Sequence, residues 1–124
     1  MGFLFQSTES FELDLATLQE EQRTAVVAAI NTHCPNLQCD QDAFFRYAYQ
    51  PQEIALLGEC CSSLYVLPVN DDQSIILTVD EDPLFDQIIV TLIRIAQSAR
   101  IMETYLDVAR LIYNQSGLAE NIDG

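Results

Sequence analysis

The stretch that decides the fold is Asp80 to Gly117, DEDPLFDQIIVTLIRIAQSARIMETYLDVARLIYNQSG. It opens like a helix start. Asp82 is placed to act as N-cap, Pro83 fits the first helical position, and the carboxylates of Asp80, Glu81 and Asp82 suit the positive end of a helix dipole. Apolar residues then recur three and four apart through Phe85, Ile88, Leu92, Ile95, Ala99, Met102, Leu106, Ala109 and Tyr113. A second stripe, Ile89, Ile93, Ala96, Ile101, Tyr105, Val108 and Ile112, widens the apolar surface beyond one seam. Gly117 is the expected stop.

A continuous helix from Leu84 to Gln115 would be roughly 48 Å long at about 1.5 Å per residue, against a small-domain diameter of about 30 Å. Such a helix must kink, for which Gln97-Ser98 is the candidate point, or pack its outer half on a second subunit. A helix apolar over more than half its circumference needs cover on two sides, one from the sheet and the other from the N-terminal helix or from a partner chain, and the partner is favoured. The expected dimer or partner interface is therefore Phe85, Ile88, Leu92, Ile95, Met102, Tyr105, Leu106 and Tyr113.

Working back along the chain, Ser63–Val69 and Ser74–Val79 are β-branched runs around the polar loop Asn70-Asp71-Asp72-Gln73, which predicts an antiparallel hairpin. Pro68 cannot donate to a ladder and pushes the first run to a sheet edge or a bulge. Ala43 to Tyr49 alternates, with Phe45, Tyr47 and Tyr49 on one face, which favours a strand and makes these three a second candidate interface. The competing reading is a short helix capped by Asp42. Glu53 to Cys61 fits either a strand or a helical turn stopped by Gly58.

A helix is expected from about Leu15 to His33. Asp14 is its natural N-cap, Thr17-x-x-Glu20 is a competing capping box, and Pro35 bars continuation while biasing Cys34 away from helical geometry. Residues 1–13 read as a flexible arm or a short edge strand, and 14–124 as a single domain. The expected class is α+β: an N-terminal helix, an antiparallel sheet of about three strands including the hairpin, and a long C-terminal helix.

Composition narrows the chemistry. Of 124 residues, 19 are Asp or Glu and 5 are Arg, with no Lys, so the net charge is -14. Counterion-release binding to nucleic acid, or to an anionic membrane surface, needs clustered cations that this chain lacks. Apolar residues make up 49% of the chain, too many for an acidic disordered tail. No apolar run is long enough to span a bilayer, and the N-terminus lacks the basic region of a secretory signal. A cytoplasmic location with reduced thiols is expected.

The only ligand-type cluster is His33, Cys34, Cys39 and, farther on, Cys60 with its neighbour Cys61. Its spacing lacks the C-x2-C knuckle of structural zinc sites, and buried or surface thiols explain each cysteine singly, so no metal and no cofactor is expected. His33 suits the negative end of its helix. There is no G-x-S-x-G, and acid pairs such as Asp71-Asp72 fall at turn positions, so no enzyme activity is expected.

What remains is an acidic protein-binding module of the adaptor, assembly-factor or chaperone type. Its apolar helix or sheet surface is ringed by carboxylates suited to a basic partner, and a homodimer is expected. The alternatives are a nucleic-acid-mimicking inhibitor of a DNA- or RNA-binding protein and a small thiol-based metal module.

Overall fold

The computed structural model of the chain describes residues 2–51 and 63–121, with side chains followed as far as residue 112. In it the decisive stretch is divided rather than continuous. Asp80–Asp82 end a strand, β3 (Gln73–Asp82), Pro83 to Asp86 form a tight turn, and β4 runs from Gln87 to Gln97. A single 3-10 turn (Ser98–Arg100) then leads into the last helix, α5 (Ile101–Asn121). The expected helix from Leu84 is thus corrected to a strand, a turn and a helix that passes Gly117 without stopping.

The physical reason lies in side-chain shape. Ile88, Ile89, Val90, Thr91, Ile93 and Ile95 are β-branched, which favours a pleated over a helical backbone. A strand covered on both faces is apolar nearly everywhere, so it contains rows at helical spacing as readily as alternation. Asp82 does cap, but it caps the turn: its Oδ1 accepts from the Leu84 N–H (3.1 Å) and the Phe85 N–H (3.4 Å). Asp86 closes that turn at φ 51, in the left-handed region that a short polar side chain tolerates.

The sheet has four strands in the order β1-β4-β3-β2. Here β1 is Gly2–Ser7 and β2 is Leu64–Pro68. The β2–β3 hairpin forms as its polar loop implies, with Asn70 Oδ1 accepting from Asp72 N (2.9 Å) and Gln73 N (3.0 Å), and with Pro68 on an outer strand. The sheet is mixed rather than wholly antiparallel, because β1 lies parallel to β4. Parallel neighbours need a long crossover, here supplied by everything between Thr8 and Asp86. Between β3 and β4 the register shifts at Ile76/Leu77, whose partners Arg94 and Leu92 leave Ile93 as the extra residue of a bulge.

Helices cover both faces. On one lie α1 (Glu9–Thr17), α2 (Glu20–His33), α3 (Asn36–Cys39) and α4 (Gln41–Tyr47), burying Phe11, Val26, Cys34, Leu37 and Phe44 against Ile75, Leu77, Ile88, Val90, Leu92 and Ile95. On the other lies α5, whose Ile101, Tyr105, Val108 and Ala109 pack on Leu64, Val66 and Ile76. Those α5 positions recur at helical spacing, so its sequence stripe is real although its expected length is not. The class is α+β. No helix among the described residues is long and apolar enough to cross a membrane.

The N-terminal helical region also differs from its expected form. It begins at Glu9 with Thr8 as N-cap, the Thr8 Oγ1 accepting from Phe11 N at 3.0 Å. It breaks at Leu18–Gln19, both extended, and restarts with a capping box in which the Gln19 N–H donates to Gln22 Oε1 at 3.0 Å. Asp14, the expected cap, lies inside α1, and the Thr17/Glu20 box does not form. Pro35 ends α2 at His33, but Cys34 keeps helical angles (φ -64, ψ -35) because the chain turns directly into α3. The favoured strand over 43–49 is instead helix α4, capped by Asp40 rather than Asp42, with Asp40 Oδ1 accepting from Ala43 N at 3.2 Å. The stretch Glu53 to Cys61 lies within 52–62, outside the described residues.

Candidate functional site at the open edge of the sheet

The sheet ends in β2 on one side and β1 on the other, and the two edges are finished differently. On β2, Ser63 O accepts from Val79 N (2.9 Å) and the Val69 N–H donates to Gln73 O (2.9 Å), so the odd-numbered residues face β3. Leu64, Val66 and Pro68 therefore face outward, and three of their five outward backbone groups have partners among the described residues. Val66 exchanges two bonds with Tyr49 (2.9 and 2.8 Å), the single bridge left of the expected strand over 43–49. Leu64 O accepts from Tyr105 Oη (2.8 Å) and Gln50 Nε2 (3.3 Å), and Pro68 has no N–H to offer.

On β1 the ladder to β4 begins with Gly2 N donating to Asp86 O (2.8 Å) and resumes beyond its end with Thr8 N donating to Leu92 O (3.0 Å). A parallel strand uses alternate residues for each neighbour, so Gly2, Leu4, Gln6 and Thr8 face β4. Phe3, Phe5 and Ser7 are left pointing their N–H and C=O groups away from the sheet. This edge carries no charged side chain, and its apolar residues are well exposed: Leu4 39% and Phe5 45%. The Phe3 and Phe5 rings lie 4.8 Å apart. Natural edges are usually blunted by charge, proline or cover; β1 has no charge or proline within its six residues, and no described residue covers its outer side.

Apolar exposure continues at the N-terminal end of β1. The β3–β4 turn seated beside Gly2 shows Leu84 at 82% and Phe85 at 70% exposure. Carboxylates stand at both ends of the strand. Glu9 and Glu12 occupy the first turn of α1, with Glu12 Oε2 accepting from Ser7 Oγ at 3.0 Å. Asp86 and Asp82 flank the turn, and Asp80 and Glu81 follow on β3.

Arg94, the arginine of the neighbouring strand, is already engaged. Its Nε donates to Asp14 Oδ2 at 2.6 Å and its Nη2 to Oδ1 at 3.3 Å, and Ile95 N donates to the same Oδ2 at 3.0 Å. That hydrogen bond, opposed by partial burial and aided by the charges of Asp14 and Asp107, holds the guanidinium pKa above its ordinary value. Asp14 therefore finishes the stretch of the β4 edge that β1 is too short to reach.

A cleft of about 660 Å³ opens beyond this ion pair, between the α1–α2 junction (Asp14, Thr17, Leu18, Gln22), the hairpin loop (Asp71, Asp72, Gln73) and the end of β4. Gln73 is only 3% exposed, and its Oε1 is a buried acceptor with no donor among the described residues. Its lining combines the carboxylates of Asp71 and Asp72 with amide and hydroxyl groups of Thr17, Gln22, Gln73 and Gln97 that can both donate and accept.

Of the residues expected at a helix-borne interface, Ile88, Leu92 and Ile95 are buried in the chain's own core on β4, and Tyr105 is buried beneath α5. Met102 and Leu106 are half-buried on α5, Phe85 is exposed in the β3–β4 turn, and the Tyr113 side chain lies outside the described side chains. Among the described side chains of this set only Phe85 is largely exposed, so the seam is not one surface, and the dimer argument that rested on a 32-residue helix loses its basis. Phe45, Tyr47 and Tyr49 are exposed but share no strand face. The Phe45 ring packs on Tyr65 (5.0 Å), Tyr47 packs on His33 (4.5 Å), and Tyr49 makes the bridge to β2.

Among the described residues, no three His, Cys, Asp or Glu side chains gather closely enough to hold a metal ion. Cys34 is fully buried, with burial pushing its thiol pKa up to about 12, whereas Cys39 is exposed. Cys60 and Cys61 lie outside the described residues. The Phe3-Leu4-Phe5 edge was missed as a site because a six-residue weak alternation says nothing about which side of a strand stays unpaired.

No protein-family model matches this chain, and neither a curated protein nor a solved structure shows significant similarity to it.

Proposed function

We propose that this chain is a non-enzymatic, cytoplasmic protein-binding module that recognises a basic partner through an apolar surface bordered by carboxylates. The observation that carries this reading is the corner formed by β1 and the β3–β4 turn. Leu4, Phe5, Leu84 and Phe85 are exposed there, and Glu9, Glu12, Asp82 and Asp86 surround them. Apolar groups supply the free energy of association, and a one-signed rim steers and selects the partner. The net charge of -14 extends that selection over the whole surface.

The test is reconstitution. A partner recovered from the native host is remade in pure form and titrated against the chain at low salt and at about 0.5 M salt, where the Debye length is only about 4 Å. Binding that survives high salt and is lost in the Leu84→Asp/Phe85→Asp double variant supports the reading. Binding that vanishes in salt and ignores that variant favours nucleic-acid mimicry instead.

A further inference from the structure

We infer that β1 is a strand-addition site: an extended segment of the partner, uncharged in its middle and basic at its ends, docks along the outer side of Gly2–Ser7 as a fifth strand. This rests on the protein-binding reading above and specifies its geometry and its ligand. Phe3, Phe5 and Ser7 offer three N–H donors and three C=O acceptors along the free side, since the ladder bonds at Gly2 and Thr8 assign the even residues to β4. Strand addition takes its affinity from such main-chain bonds and its selectivity from flanking side chains. Phe3 and Phe5 project on one face and Leu4 on the other, so an incoming strand meets apolar surface on both.

Charge selects the occupant. In an antiparallel pair of two copies, Asp80, Glu81 and Asp82 on the side of the sheet where one β1 starts would stand toward Glu9 and Glu12 at the end of the other. In a parallel pair each acid would face its own copy. Either arrangement sets acid against acid at both ends of the strand, and each copy brings a net charge of -14. A segment with Lys or Arg at both ends meets complementary charge at the same places. The opposite edge offers no run of equal length among the described residues, because Tyr49 takes both Val66 groups, Tyr105 and Gln50 take Leu64 O, and Pro68 lacks an N–H.

The experiment is amide hydrogen exchange by NMR on the full chain, free and with the capped nonapeptide Arg-Lys-Val-Thr-Val-Thr-Val-Arg-Lys as probe. In the free chain the amides of Phe3, Phe5 and Ser7 exchange freely while those of Leu4, Gln6 and Thr8 are protected. Saturating peptide slows the first three by about tenfold or more. A Glu-ended peptide of the same core does not do so at equal concentration.

Phe5→Pro removes one outward donor without touching the β4 ladder, and weakens the peptide several-fold while leaving the amides of Leu4 and Gln6 protected. Glu9→Gln/Glu12→Gln weakens it and flattens its salt dependence. Peptide binding that perturbs only the cleft at Asp14, Gln22 and Gln73 overturns strand addition while sparing the basic-partner reading. No binding by any peptide overturns both. Protection of Phe3, Phe5 and Ser7 that rises with the concentration of the chain alone overturns the basic occupant in favour of a second copy.

Discussion

Replacing Asp14 by Ala tests how the structure closes the edge of β4 beyond the end of β1. The side chain receives three hydrogen bonds, two from Arg94 (2.6 and 3.3 Å) and one from the Ile95 amide (3.0 Å). The ion pair is partly exposed, at 39% for Arg94 and 21% for Asp14, so its share is only about 0.5–1 kcal/mol after solvent screening. The Ile95 amide belongs to a residue 6% exposed, and orphaning it costs about 1–3 kcal/mol. Asp14→Ala is therefore expected to lose about 2–3 kcal/mol in all. Asp14→Asn keeps an acceptor for Ile95 and loses only about 0.5–1 kcal/mol, as does Arg94→Met. Urea unfolding followed by far-ultraviolet circular dichroism gives all three values. At about 1 M salt the Arg94→Met loss should shrink while most of the Asp14→Ala loss remains. Equal losses for Asp14→Ala and Asp14→Asn would refute the reasoning, since the edge amide would then need no protein acceptor.

Other perturbations have equally definite outcomes. Phe85→Asp and Ile88→Asp, neighbours on the sequence seam, should part company. The first stays within about 0.5 kcal/mol of the parent in urea unfolding, and the second buries an unpaired charge and costs several kcal/mol or abolishes folding. Tyr105→Phe removes the donor to Leu64 O and costs about 0.5–1 kcal/mol, at the low end because Gln50 still serves that oxygen. Maleimide applied to the native chain near neutral pH should modify Cys39 quickly and Cys34 only on unfolding, as peptide mass mapping would show. The same thiol gives an alkaline signature. Its folded pKa is raised to about 12, whereas the unfolded thiol ionises near about 8.5, so its contribution is intact below about pH 8.5. Above that, stability falls by up to about 1.4 kcal/mol per pH unit until the native thiol ionises, and Cys34→Ala should remove that slope between about pH 9 and 10.

What could be read from the residues depended on whether the signal was local. The β2–β3 hairpin was legible because a polar loop between two β-branched runs has few other solutions, and Pro68 marked its outer strand correctly. The α5 stripe of Ile101, Tyr105 and Val108 was legible for the same reason, since one face of a helix against a sheet leaves a clear period. Residues 87–97 were not, because burial on both faces erases the alternation that identifies a strand, and Asp82-Pro83 serves a turn as well as a helix start. Their β-branched content was the discriminating signal. Tyr49 shows a third limit: one bridge to Val66 makes it a sheet residue although helix α4 ends only two residues before it, at Tyr47. The open side of β1 is a property of chain pairing, and no window of sequence contains it.

The contrast between the two finished edges sets the valence of the molecule. A sheet with two open sides can recruit at both, and each addition exposes a fresh side, which is the route to filaments. Here Tyr49 and Pro68 obstruct the β2 side, so among the described residues the longer free run of backbone groups is that of β1. Whatever docks there ends the chain of additions unless it brings an open side of its own. On the proposed strand addition at β1, the protein acts as a terminator of strand pairing rather than a link in it.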